Sequence, residues 1–191
     1  MLKPHIVILG AGFGGVYVAK KLIPYVKNGK IDVTVVNRTN YFLFTPLLHE
    51  VATGSLTPSS VAEPLREIFH GTGIRIAQGV VESIDRESRV IKIAGHHHGC
   101  SITYDYLLIA TGAETNYYDI PGAEKFALPL KSLLDAARIR SRIIDNFEQA
   151  ILTTDKVERA RLLSFVVVGG GATGVETAAE LAEFIRGMVK R

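Results

Sequence analysis

A chain of 191 residues, 47% hydrophobic and 21% charged, has room for one domain and part of another, and its composition excludes a disordered or fibrous protein. The basic excess is 22 − 19 = 3, spread along the chain, so no clustered basic face argues for nucleic acid as a partner. The lone cysteine, Cys100, excludes an internal disulfide, a CxxC redox pair and a thiolate metal cage.

The first residues, MLKPHIVILGAGFGG, form a short apolar stretch broken by glycines. They do not read as a signal peptide, and no run approaches the about 20 apolar residues of a membrane span. The chain as given is therefore expected in the cytoplasm. His5 to Leu9 is a Val/Ile-rich run of the kind buried in a parallel sheet. Glycines follow at 10, 12, 14 and 15, then a helical pattern with Ala19, Leu22, Ile23 and Val26 on one face. Pro24 and Asn28-Gly29 are expected to close that helix. Val33 to Val36 is a second buried strand, completing a βαβ unit.

Residues 38–58 read as a long irregular loop, rich in aromatics and proline. Such a loop is unusual in a compact domain unless it covers a ligand. Ser60-Val61-Ala62-Glu63 has capping-box spacing and predicts a helix to about His70. Ile74 to Ala77 is a third strand. Val80–Ile84 and Val90–Ile93 predict a hairpin about Asp85-Arg86-Glu87-Ser88, with His96–Gly99 a further turn of the same meander. Tyr106 to Ala110 is another buried strand, ending in Thr111-Gly112. The stretch 116–122 reads as a boundary loop. Ser132 is positioned to cap a helix to about Ile151, and a short helix runs to about Leu162. Phe165 to Val168 predicts a strand, followed by glycines 169, 170, 171 and 174 and a helix from Val175.

An internal repeat organises these elements. VILGAGFGGVYVAKKL and VVVGGGATGVETAAEL share an apolar strand, a G-x-G-x-x-G turn and a helix rich in small residues. In the first turn, Gly10 permits the tight bend. Gly12 lets the backbone approach a pyrophosphate, and Gly15 lets the helix pack on the sheet. Amide groups and the positive end of the helix dipole then face the phosphates. Gly169, Gly171 and Gly174 repeat the device, and two such sites in one chain imply two nucleotides that exchange electrons. The residue that closes the second strand, commonly an acid that accepts from a ribose hydroxyl, is Asn37. Its amide is able to accept one such bond and donate another, and Asn37→Asp is expected to tighten the cofactor.

Other conspicuous residues carry less. His96-His97-His98 reads as a solvated loop rather than a metal site. Tyr117 and Tyr118 fit boundary packing as well as a cofactor contact. Arg138, Arg140 and Arg142 read as a solvated helix face. His49 and Glu50 are adjacent, but nothing in the sequence orients them as an acid–base pair.

The chain resembles the two-dinucleotide-domain flavoprotein reductases, and among them the type II NADH:quinone oxidoreductases. The broad likeness rests on the two glycine turns and on YDYLLIATGAE. The narrower one rests on FTPLLHEVATGSLTP at 44–58, FALPLKSLLDAARIRSRI at 126–143 and GGGATGVETAAELAE at 169–183. The resemblance implies a Rossmann-like FAD-binding domain with a β-meander insertion over 1–115. It implies the first part of a second, NAD(P)H-binding domain over 116–191.

The resemblance also implies hydride transfer from NADH to FAD and electron transfer on to a quinone. FAD contacts are then expected at Gly10, Gly12, Phe13, Gly14, Gly15, Asn37, Arg38, Thr45, Pro46, Leu47, Val81, Ala110, Thr111 and Gly112. NADH is expected at Gly169, Gly171 and Gly174. Glu176 is expected beside the nicotinamide and the quinone pocket, in the first turn of its helix. Further expectations are that the chain is a truncated part of the enzyme, and that a carboxy-terminal segment holds the complete protein peripherally at the inner, cytoplasmic face of a membrane. A homodimer is also compatible with the likeness. Two alternatives stay open: a sulfide:quinone or ferredoxin reductase type, disfavoured in the first case by the missing cysteines, and a non-catalytic nucleotide-binding fragment.

Overall fold

The computed structural model describes residues 3–94 and 100–189. The expected turn at His96–Gly99, and the three histidines in it, lie outside the described residues. In chain order the elements are β1 (His5–Leu9), α1 (Phe13–Lys27), β2 (Asp32–Asn37), β3 (Tyr41–Leu43), α2 (Leu48–Thr53), β4 (Ala62–Pro64), α3 (Leu65–Ile68), β5 (Arg75–Gln78), β6 (Val80–Asp85), β7 (Val90–Ala94), β8 (Cys100–Thr103), β9 (Tyr106–Ile109), α4 (Ala123–Phe126), α5 (Leu133–Leu152), α6 (Lys156–Leu162) and α7 (Ala172–Val189). The chain divides into two compact units. One is Met1–Leu43 with Ala62–Ala113; the other is Phe44–Val61 with Glu114–Arg191.

The first unit is built on a parallel sheet of order β5-β2-β1-β9. The strands β1 and β2 are central and bury Val7, Ile8, Leu9, Val33, Val35 and Val36, because both faces of the sheet are covered. Alternate residues of β1 divide the core. Ile8 points to one face with Val33 and Val35, against Val16 and Ala19 of α1 and against Leu65, Phe69 and Ile74. Val7 and Leu9 point to the other face with Val36, against Ile91 and Ile93. Those two isoleucines belong to the antiparallel meander β6-β7-β8, so the meander is the layer that closes the second face. Its first turn is tied by the Asp85 carboxylate, which accepts from the Glu87 and Ser88 amides. Hydrogen bonds from Ser88 hold the Asp85 carboxyl below its ordinary value.

Three expectations change here. Pro24 lies inside α1 and does not end it. Its ring removes one donor, but its carbonyl still accepts from Asn28 at 3.1 Å, so the helix continues to Lys27. Gly29, with φ +68°, then turns the chain. The capping box at Ser60 does not form: Ser60 Oγ lies 2.9 Å from Thr57 Oγ1, and no side chain caps α3. Ala62–Pro64 instead pairs with Tyr41–Leu43 in a two-stranded ladder, which delays the helix to Leu65. The supposed loop 38–58 is also largely ordered. It contains β3, 3₁₀ turns at Thr45–Leu47 and Pro58–Ser60, and α2. The α2 helix buries Leu48, Val51 and Ala52 and ends on Gly54 at φ +84°.

In the second unit α2 packs against α5 and α7. The long α5 opens with a reciprocal capping box: Ser132 Oγ accepts from the Asp135 amide, and the Asp135 carboxylate accepts from the Ser132 amide. Asp155 caps α6 through the Val157 and Glu158 amides. Phe165–Val168, expected as a strand, has no strand partner among the described residues. Val166 and Val168 are 86% and 72% exposed, and a lone extended segment has no ladder to join. Because each cap satisfies amides that α5 otherwise leaves bare, Ser132→Ala is expected to cost about 1 kcal/mol, read as a lowered thermal unfolding midpoint; an unchanged midpoint contradicts the cap.

Candidate functional site

The two glycine turns share one geometry, in separate compact units. A Cβ built on Gly15 meets the Gly10 carbonyl oxygen at 1.9 Å, and one built on Gly174 meets the Gly169 carbonyl oxygen at 1.9 Å. No side chain fits at either third glycine, because helix and turn touch backbone to backbone. The first glycines, Gly10 and Gly169, both lie at positive φ, +98° and +114°. The next helical bond is the same as well: Val16 N to Gly12 O at 3.0 Å, and Val175 N to Gly171 O at 3.1 Å. At the middle glycines, Gly12 and Gly171, a Cβ meets nothing within 4 Å. That open space is where a phosphate needs to approach the backbone. The first turn of α1 has no side-chain cap and no acidic residue, which suits an anion at its positive end.

The first unit gathers several expected residues about its turn. Gly10 donates to Val36 O at 2.8 Å. A Cβ on Gly10 would lie 2.2 Å from Ala110 O and 3.0 Å from Thr111 Cα, so the end of β9 sits against the bend. Ala110 donates to Leu9 O at 2.7 Å, and Gly112 turns away at φ +80°. Gly14 faces Ala110. Phe13 sets its ring edge-on to Phe42 at 5.1 Å. Arg38 is exposed, and its carbonyl lies 3.4 Å from Gln78 Nε2. Val81 pairs with Ile93 beside an irregularity of the β6–β7 ladder.

Asn37 is more committed than its sequence position suggests. Its Oδ1 accepts from the Ala11 amide at 3.0 Å, and its Nδ2 donates to Thr39 O and Thr39 Oγ1, both at 3.0 Å. Both amide hydrogens are used, so no donor remains for a ribose hydroxyl. One lone pair of Oδ1 remains. An aspartate here would set an oxygen against the Thr39 carbonyl, which opposes the gain expected of Asn37→Asp.

The second unit holds Thr45, Pro46 and Leu47 in a 3₁₀ turn that runs directly into α2. Glu176 is the fifth residue of α7, not in its first turn, because the helix begins at Ala172. Its Oε2 lies 3.8 Å from Nδ1 of His49, whose Nε2 lies 4.0 Å from Glu50 Oε1. No local spacing marks His49 as a neighbour of Glu176, because the two are 127 residues apart in the chain. Ser55 donates to Glu180 Oε2 at 3.1 Å, and Thr53 Oγ1, 3.2 Å from the His49 and Glu50 carbonyls of its own helix, lies 3.4 Å from the same oxygen.

The family model described as pyridine nucleotide-disulphide oxidoreductase matches residues 4–189. The chain belongs to that family.

Among its relatives is the external alternative NAD(P)H-ubiquinone oxidoreductase B3 of Arabidopsis thaliana mitochondria. It is 40% identical over 96% of this chain, which spans 33% of that protein. The type II NADH:quinone oxidoreductase Ndh of Mycobacterium tuberculosis is 38% identical over 98% of this chain and 40% of its own length. The structure of Plasmodium falciparum NDH2 in complex with NADH superposes with a TM-score of 0.86 at 34% identity, covering 99% of this chain and 39% of that one. The chain thus spans about a third to two-fifths of the proteins it resembles. The family description names disulphides, yet Cys100 is the only cysteine in these 191 residues. No set of three or more metal-ligating side chains occurs among the described residues.

The glycine geometry separates fold from binding in this family member. Gly15→Ala drives a methyl into a backbone oxygen and is expected to lower stability by about 2 kcal/mol or more, seen in urea unfolding. Gly12→Ala fills open space and should shift the midpoint by less than about 0.5 kcal/mol. Equal penalties would show that the contact at Gly15 is not what closes the turn.

Proposed function

We propose that this chain is the dinucleotide-binding part of an NADH:quinone oxidoreductase. FAD is held by the residues around Gly10–Gly15, and NADH by those around Gly169–Gly174. The observation that carries the reading is the duplicated turn, closed both times by a third glycine against the first glycine's carbonyl and open both times at the middle glycine. The named relatives support the pairing of NADH with a quinone. On this reading 1–115 contributes to the FAD domain and 116–191 to the NADH domain.

When bound, FAD supplies the acceptor for a hydride and the store from which two electrons leave toward a quinone. The chain's own residues bind and orient. Gly12 admits the pyrophosphate to the first-turn amides of α1, with Phe13 and Gly14 forming that turn. Asn37 Oδ1 holds the Ala11 amide and keeps one lone pair for the adenosine ribose, with Arg38 beside it and the Val81 backbone toward the adenine. Ala110, Thr111 and Gly112 wall the bend. Thr45, Pro46 and Leu47, which form a 3₁₀ turn, are the residues this reading assigns to the flavin ring. Gly169, Gly171 and Gly174 do for NADH what the first turn does for FAD, and Glu176 stands beside the nicotinamide. No side-chain nucleophile is needed, because hydride transfer asks for stacked rings and fixed geometry. The same reading seats the complete enzyme peripherally on the cytoplasmic face of a membrane, where quinones reside, and allows a homodimer. Among the described residues no helix is long and apolar enough to cross a membrane.

Fluorescence titration of the 191-residue chain with FAD should show weak binding that Gly12→Ala weakens further, by about tenfold. The chain alone should not sustain NADH:quinone turnover. Unaltered FAD affinity in Gly12→Ala would remove the turn from the site, and robust turnover would show that the remainder of the relatives' length is dispensable.

A further inference from the structure

The amino-terminal end of the parallel sheet carries polar residues on a face that is otherwise apolar. Alternate side chains of β1 and β2 point to the meander, and Val7, Leu9 and Val36 pack there against Ile91 and Ile93. One step earlier on the same face stand His5 in β1 and Thr34 in β2, and Arg75 in β5 is the register partner of Thr34. Thr34 is only 4% exposed; a valine would fill the same volume without a hydroxyl to satisfy. The three side chains meet. His5 Nε2 lies 2.8 Å from Thr34 Oγ1 and 3.2 Å from a terminal nitrogen of Arg75. With Ser101 and Thr103 of β8 they line a cleft of about 530 Å³.

Donors outnumber acceptors in this cluster. A guanidinium only donates, so Arg75 needs the bare lone pair of Nε2. The Thr34 hydroxyl lies within hydrogen-bond distance of the same nitrogen, which has one lone pair to give. If Nε2 carries the ring proton instead, it donates to Thr34 and Arg75 loses its acceptor. Either arrangement leaves a donor over. No carboxylate is among the described residues that line the cleft. The Asp105 carboxylate accepts from the His5 backbone amide at 2.7 Å and is not part of the lining.

We propose that this cleft is an oxyanion site, with the Arg75 guanidinium as its charged anchor and the Thr34 hydroxyl as a second donor, and that it takes the phosphoryl or carboxylate group of a small molecule. The planar guanidinium presents paired N–H groups that match two oxygens of such a group. Ala77 and Ile102 supply an apolar wall for the part that bears the anion. The site is separate from the first glycine turn. It lies at the start of β1 and the turn at its end, four residue steps or about 13 Å away, so both can be occupied together.

The test is titration of the ¹⁵N-labelled 191-residue chain with sodium phosphate, and in parallel with sodium acetate, each against sodium chloride at matched ionic strength and fixed pH. Glycine turns also attract anions, so the location is read from backbone amide shifts. Amides of residues 34, 75 and 101–103 should shift saturably, with a millimolar dissociation constant. Tighter binding of phosphate assigns the phosphoryl source, and tighter binding of acetate the carboxylate source. Arg75→Gln should weaken binding about tenfold and Thr34→Val about threefold, while Gly12→Ala leaves it unchanged. Arg75 is exposed, so if Thr34→Val does not fold, Arg75→Gln still decides. Shifts that chloride reproduces, shifts confined to residues 10–15 and 169–174, or an unchanged dissociation constant in Arg75→Gln each overturn the proposal.

Discussion

The Gly15 contact with the Gly10 carbonyl sets where everything else in the first unit stands. A helix following a strand this closely has no room for a side chain at the crossing, and the 1.9 Å approach of a hypothetical Cβ shows how little is spare. Once the helix start is pinned there, α1 must lie along the sheet, with Val16 and Ala19 against Ile8 and Val33. The bend must also hold Gly10 at positive φ, with β9 pressed against it. Stability and binding thus share a few residues, but not the same ones. Gly15 and Gly10 carry the packing, and Gly12 keeps the vacant space.

The repeat of this arrangement at Gly169–Gly174 is the stronger for occurring in a different setting. The first turn is embedded in a four-stranded parallel sheet. The second follows an extended, exposed segment that joins no ladder among the described residues. The same closure forms in both, so it is a property of the local sequence, the glycine spacing and the helix behind it, rather than of the sheet around it.

Much of this was legible along the chain. The strands β1, β2, β5 and β9, the meander hairpin and the Ser132 cap follow from apolar runs, turn residues and capping chemistry, all of which act over a few residues. The misreadings share a physical cause. Pro24 and Ser60 carry strong local preferences, and in each case a non-local partner outweighed them. The rest of α1 packs on the sheet past its proline, and Tyr41–Leu43 recruits Ala62–Pro64 into a ladder that a capping box at Ser60 cannot match. Phe165–Val168 shows the converse: a sequence with every preference for strand remains unpaired where no strand lies beside it among the described residues.

The sequence by itself determined the two glycine bends, the helices that spring from them and the chemistry they are suited to, because a backbone that must take positive φ or touch another backbone admits only glycine. Tertiary structure alone decided which side chains stand together around those bends. Asn37 reaches back 26 residues to the Ala11 amide, and its donors are spent on Thr39, so that only one lone pair of Oδ1 is left. His49 meets Glu176 across more than a hundred residues, a meeting that depends on how α2 and α7 pack and that no local spacing encodes.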